Sequence, residues 1–173
     1  MVTKAKFKKG DLVRHPKVSL NWGVGTVLHD STSVDVEIFF ENGGRRTLQL
    51  SIVDLTKVHE SNLQNALKFR IYVDVPFQDI YEDLKAKLPG HVVIIENGTY
   101  FEVLNDDAVL CQRNYGWKIW SRTKNQNITG FPTTQFSQLD RLTNDGLSYV
   151  MVCQIEHGSV DAIPRRVRAV VNC

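Results

Sequence analysis

The stretch Asn97-Gly98-Thr99-Tyr100-Phe101-Glu102 lies between the apolar run Val92-Val93-Ile94-Ile95 and the acidic step Asn105-Asp106-Asp107. An Asn-Gly pair between β-forming runs is a strong hairpin signal, because both residues tolerate the positive φ angles of a type I′ turn. The turn places Tyr100 and Phe101 at the end of a sheet. Neighbouring strand residues point to opposite faces, so one ring turns to the core when the other turns out, and Glu102 returns to the side of Tyr100. An outward aromatic ring and a carboxylate are therefore expected on one surface.

The segments around this hairpin have their own signals. Lys68 to Val75 alternates Phe69, Ile71 and Val73 against Arg70, Tyr72 and Asp74, the pattern of a strand. Pro76 opens a helix to about Leu88, with Ile80, Leu84 and Leu88 inward and Pro89-Gly90 ending it. After the hairpin, Asp106 or Asn105 is positioned to cap a short helix through Arg113, with Ala108, Val109 and Leu110 packing inward. Lys118 to Arg122 reads as a strand, followed by a loop to Gly130-Phe131-Pro132. A helix is expected from near Thr134, with Phe136, Leu139, Leu142 and Leu147 on its core side, then strands over Tyr149 to Gln154 and Arg166 to Val171.

From about Phe77 to Val171 this order resembles the mismatch-recognition domain of the MutS family, whose Gly-x-Phe-Tyr-Glu segment enters the minor groove of DNA. The resemblance implies a wedge position for Tyr100, a buried position for Phe101 and a base-hydrogen-bonding position for Glu102, with Gly98 and Thr99 at the same tip. Tyr100 replaces the family's usual Phe, which keeps a stacking ring and adds a hydroxyl. The family's usual Cys-Glu-Gln is Cys153-Gln154 here, and its Thr-Pro-Gly after the last strand is absent.

The first third of the chain is different. Asp11 to Arg14, Gly23 to Leu28, Val34 to Phe40 and Arg46 to Leu50 read as short strands separated by Gly, Pro, Asn and Asp turn signals. Val34, Val36 and Ile38 are expected on one face, Asp35 and Glu37 on the other. This is the pattern of a small SH3-like or Tudor-like β-barrel that closes its own edges. Gly10-Asp11-Leu12-Val13-Arg14-His15-Pro16, Gly23-Val24-Gly25-Thr26-Val27 and Asn42-Gly43-Gly44 resemble the Tudor-like domain at the C-terminus of UvrD-type helicases and, more loosely, the polymerase-binding domain of CarD-like regulators. That resemblance implies docking on RNA polymerase or a repair protein through residues 1–58. Trp22 is either a lid on the barrel or an exposed binding aromatic. The polar stretch 59–66 is the expected linker, and the expected architecture is α+β overall: an all-β domain over 1–58 and a mixed-sheet α/β domain over 67–173.

Charge adds a candidate phosphate surface. The net charge of +2 is too small to diagnose a polyanionic partner, but Lys4, Lys6, Lys8, Lys9, Arg14 and Lys17 cluster early, and Arg165, Arg166 and Arg168 cluster late. No apolar run approaches the roughly 18 to 20 residues that span a bilayer, and the charged start lacks the apolar centre of a signal peptide, so a cytoplasmic protein is expected. Cys111, Cys153 and Cys173 are widely separated and fit reduced thiols better than a zinc site.

Catalysis finds little support in the residues. A nuclease needs clustered carboxylates and a lysine on strands. Asp83-Leu84-Lys85 falls on a helix, and Glu102 with Asp106 or Asp107 chelates magnesium only if the hairpin folds back. No phosphate-cradling Gly-Lys loop is present. The expectation is a non-enzymatic, ATP-independent DNA-binding protein without metal or cofactor, selective for mismatched, looped or bent duplex. Its alternatives are a protein-interaction adaptor that has lost mismatch reading and, more remotely, a metal-dependent nuclease.

Overall fold

The structure is a computed structural model and describes residues 6–18, 22–58, 67–68, 70–155 and 163–173. The expected linker 59–66, together with Lys4 and Phe69, lies outside the described residues. The chain divides into two compact units, Met1–Val73 with Ile155–Arg166, and Asp74–Gln154 with Val167–Cys173. The class is the expected mixture of α and β, with the all-β part first.

The first unit holds β1 (Leu12–Arg14), β2 (Val24–Val27), β3 (Asp35–Phe40), β4 (Gly44–Gln49) and β5 (Thr56–Lys57), in the antiparallel order β4-β3-β2-β1-β5. The order ends on β4 and β5, so the ladder is not closed among the described residues as the strand pattern suggested. Alternation along β3 buries Val36 and Ile38 beside Phe7, Val13, Val27, Phe40 and Leu55. Val34, expected on the same face, precedes the strand and is exposed. Gly25 lets β2 lie close on β3, since a Cβ there would stand 2.4 Å from Ile38 Cγ2. Trp22 is a lid: its ring packs on Phe40 (5.1 Å) and His15 (5.3 Å) and covers Gly43.

A second apolar cluster in this unit joins Leu28 and Phe39 to Ile71, with Val73 and Ile155 against it. Ile71 and Tyr72 form β6, which pairs antiparallel with Arg165 and Arg166 at the start of β11 (Arg165–Val171). The longer strand expected over Lys68 to Val75 does not form. Arg70 N–H is drawn to Leu67 C=O at 2.9 Å, and Asp74 adopts φ 54°, so the extended run is confined between two bends.

The second unit contains α1 (Phe77–Lys87), β7 (Val92–Asn97), β8 (Tyr100–Leu104), α2 (Asn105–Tyr115), β9 (Ile128–Pro132), α3 (Ser137–Asn144), β10 (Tyr149–Gln154) and the end of β11. Its sheet order is β11-β10-β7-β8-β9, with β7 and β10 parallel and the hairpin β7-β8 and its neighbour β9 antiparallel. One face carries Val92, Ile94, Phe101, Val103, Phe131 and Met151 into a core closed by Cys111, Trp117, Leu139 and Leu142. Val93 and Ile95 alternate to the other face, where α1 packs and buries Ile80 and Leu84.

Three local expectations are corrected. Lys118 to Arg122 forms no strand; a single bridge joins Trp120 to Ile128, and the strand is β9, made from residues assigned to a loop. Gly130 is the reason. Its missing Cβ would stand 2.0 Å from the Phe101 carbonyl oxygen, so only glycine allows β9 to lie this close on β8, and Pro132 is tolerated because β9 is an edge. α3 starts at Ser137, later than expected, and leaves Phe136 59% exposed. At the start of α2 neither Asn105 nor Asp106 caps through its side chain; Asn105 takes φ 52°, and Val109 and Leu110 are half-buried.

Candidate nucleic-acid interface

The β7-β8 hairpin forms as expected, with its turn displaced by one residue. Asn97 pairs with Tyr100, which leaves Gly98 and Thr99 as the two-residue loop. Gly98 has φ 60° and Thr99 does not share the positive sign, the pattern of a type II′ turn rather than I′. The register places Tyr100 at the strand's end, 43% exposed, while Phe101 is 3% exposed. The Phe101 ring packs on Phe131 (5.5 Å) and Phe136 (5.9 Å). Thr99 C=O accepts from Thr133 N–H at 2.8 Å, which ties the tip to the segment after β9.

Glu102 lies on the Tyr100 side of β8 but is not on an open surface. It is 4% exposed. Asn97 Nδ2 donates to its Oε1 at 2.9 Å, and Arg122 Nη2 donates to the same oxygen in a salt bridge. The other oxygen, Oε2, is buried without a hydrogen-bond partner. Gly130 is the residue opposite Glu102 on β9. Arg122 is held in turn by the Phe77 ring, whose centroid lies 5.9 Å from the guanidinium carbon. In the sequence Arg122 reads only as the basic end of a strand; no periodicity shows that it reaches back across 20 positions to a buried carboxylate.

The neighbouring carboxylates serve other partners. Asp107 is buried, accepts from Lys85 Nζ and from Val93 N–H, each at 2.9 Å, and is pushed upward in pKa by burial against the pull of those donors. Burial, and after it the Asp107 charge, pushes the Tyr81 hydroxyl up to about 12. Glu102, Asp106 and Asp107 are thus not pooled, and no group of three or more His, Cys, Asp or Glu side chains able to hold a metal occurs among the described residues.

The basic residues singled out from the sequence are divided between the units. In the first, Lys6 pairs with Asp54 (3.6 Å) and Lys8 with Asp30 (2.7 Å), while Lys9 gives its backbone N–H to Asp30 (2.9 Å). The Lys8 ammonium, then the Lys9 N–H, hold the Asp30 carboxyl below its usual range. Arg166 pairs with Glu41 at 2.6 Å, and Arg165 donates to Ile163 C=O at 3.2 Å. Arg168 is exposed on β11 in the second unit, the unit of Gly98, Thr99, Tyr100 and Glu102.

Among known families, one described as MutS domain I matches residues 75–172, and one described as Protein of unknown function (DUF3553) matches residues 7–58. No curated protein matches the chain. No helix among the described residues is long and apolar enough to cross a membrane.

Proposed function

Because the chain belongs to the MutS domain I family, we propose that it binds mismatched, looped or bent duplex DNA by inserting Tyr100 between weakened base steps and presenting Glu102 to the displaced base. Family membership supports a role related to mismatched DNA; the wedge and base-hydrogen-bonding roles of Tyr100 and Glu102 are what the resemblance implies, and the geometry of the tip supports them. The observation that carries them is the pairing of an exposed Tyr100 ring with a Glu102 oxygen that is buried and unpartnered. A buried carboxylate oxygen without a donor is costly, by about 1 to 3 kcal/mol, and a base N–H at that position relieves the cost. Wedge insertion costs a few kcal/mol of unstacking, least where pairing is already faulty, so the same tip favours a mismatch over a matched duplex. We propose no ATP hydrolysis and no DNA cleavage.

The test is fluorescence anisotropy of labelled homoduplex, mismatched and looped DNA, with and without magnesium. Tyr100→Ala should cost the mismatched duplex roughly 1 to 3 kcal/mol of binding while the protein stays folded. Binding unchanged in both Tyr100→Ala and Glu102→Ala, with the fold intact, rejects the reading, and magnesium-dependent nicking lost in Glu102→Ala promotes the nuclease instead. A second reading is a protein-docking adaptor. It is favoured by Val34 and Ile52, which are 60% and 76% exposed in the first unit.

A further inference from the structure

The loop Ser121 to Asn127 begins beside the arginine that holds Glu102. With Gln78 of α1 and Asn105 at the start of α2 it forms an open cleft of about 480 Å³, walled by Gln78, Asn105, Thr123, Asn125 and Gln126. None of these side chains is charged; each offers an amide or a hydroxyl. Part of the wall is pre-arranged. Asn105 Nδ2 donates to Gln78 Oε1 at 2.9 Å, and Gln126 Nε2 approaches the same oxygen at 3.5 Å. Gln78 Nε2 is given to Glu82 Oε1 at 2.9 Å. The Thr123 hydroxyl and the Asn125 amide make no hydrogen bond to another described residue, and Lys124 between them forms no ion pair among the described residues.

Arg122 stands at the edge of this cleft. Its chain neighbour Thr123 lines it, and so does Gln78, the neighbour of the Phe77 ring that the guanidinium lies over. The Arg122 side chain is 45% exposed and spends one nitrogen on Glu102, so the rest of its planar fork has donors to offer.

We propose that the cleft, Lys124 and the free edge of Arg122 together seat a sugar–phosphate segment of the DNA that Tyr100 enters, with Arg122 bridging a phosphate and Glu102. This rests on the tip reading above and adds the backbone contact that the tip lacks. Uncharged Thr, Asn and Gln side chains, with Arg and Lys, supply much of the hydrogen bonding to phosphate and sugar in protein–DNA complexes. The planar arginine fork suits a bidentate anion, so one guanidinium can serve carboxylate and phosphate on its two edges. The bridge also answers an electrostatic problem. A carboxylate brought against a polyanion is repelled, and Arg122 neutralises Glu102 through Oε1 while leaving the buried Oε2 without a hydrogen bond.

The experiment is anisotropy of the full chain on a homoduplex and on the same duplex with one unpaired base, each over a range of salt. Thr123→Val combined with Asn125→Ala should weaken both duplexes by the same factor, about tenfold, and leave their ratio unchanged. Lys124→Gln should flatten the plot of log affinity against log salt by about one. Arg122→Gln should flatten it by about one and also lower the preference for the unpaired base. Glu102→Gln with Arg122→Gln leaves no buried carboxylate alone, so it guards against misfolding, and the slope should fall there too. An unchanged salt slope in both Arg122→Gln backgrounds, or unchanged affinities with Thr123→Val and Asn125→Ala, overturns the proposal. Tyr100→Ala separates it from the tip reading. Loss of preference in Tyr100→Ala with silent cleft variants removes the cleft alone; weakened binding in the cleft variants with a silent Tyr100→Ala removes the tip and leaves a backbone seat.

Discussion

Tyr100 and Phe101 are adjacent in sequence and opposite in environment, and the difference follows from strand alternation alone. Phe101→Ala should therefore lower stability by roughly 3 to 5 kcal/mol through the cavity left beside Phe131, read by denaturant unfolding. Tyr100→Phe should leave stability unchanged and preserve or improve the preference for mismatched DNA, because it removes only an exposed hydroxyl. Alternation placed Glu102 on the right side but could not show its depth, which depends on Arg122 and Asn97 arriving from elsewhere. Cys111 is a second case where burial decides chemistry. Burial, then the Asp107 charge, pushes its thiol from 9.0 up to about 12. Between those values the unfolded chain has released the proton and the folded one keeps it, so stability should fall as pH rises from about 9 towards 12. Cys111→Ala should remove that part of the slope. Iodoacetamide near neutral pH should label exposed Cys173 quickly and Cys111 only on unfolding, as mass spectrometry will show.

Two glycines of the β7-β8-β9 element have different reasons to be glycine, and the difference predicts different costs. A Cβ on Gly98 meets nothing within 4 Å, so Gly98→Ala carries only the backbone penalty of a side chain at positive φ, about 1 to 3 kcal/mol. A Cβ on Gly130 meets the Phe101 carbonyl, so Gly130→Ala must part the two strands and should unfold at lower denaturant than Gly98→Ala, with tip function disturbed as well. Elements with a local cause were legible in the sequence: α1 between Pro76 and Pro89-Gly90, the hairpin at Asn97-Gly98, and β7 and β10 as apolar runs. β9 was not, because Gly130 and Pro132 are loop residues by propensity and become strand residues only when β8 lies alongside. Residues 118–122 failed in reverse: read as a strand, they find one bridging partner. Asp107, weighed in the sequence only as a carboxylate near the hairpin, is a buried partner of Lys85, since the distance between α1 and α2 is not written in either segment. Removing it by Asp107→Ala should cost roughly 3 kcal/mol, the low end for a broken buried pair because Lys85 keeps some access to water.

At the scale of the whole molecule, each unit has its own core, but the first is assembled from two stretches of chain. Leu28 and Phe39 pack with Ile71, Val73 and Ile155, so a fragment ending at Val58 leaves that cluster uncovered. Such a fragment should retain the Phe7-Val13-Ile38-Phe40 core and melt below the same strands in the full chain, a difference that circular dichroism of both proteins will measure. β11 makes the dependence mutual. Its first residues, Arg165 and Arg166, complete the first unit beside β6, and its remainder, from Val167 onward, borders β10 in the second. During synthesis on the ribosome this strand emerges after every other described element, so neither unit has its last strand until translation has passed it. A nascent chain stopped before Arg165 has the ladder β4-β3-β2-β1-β5 complete but leaves β6 and β10 each without the strand that lies beside it, two open edges ready to pair with another chain.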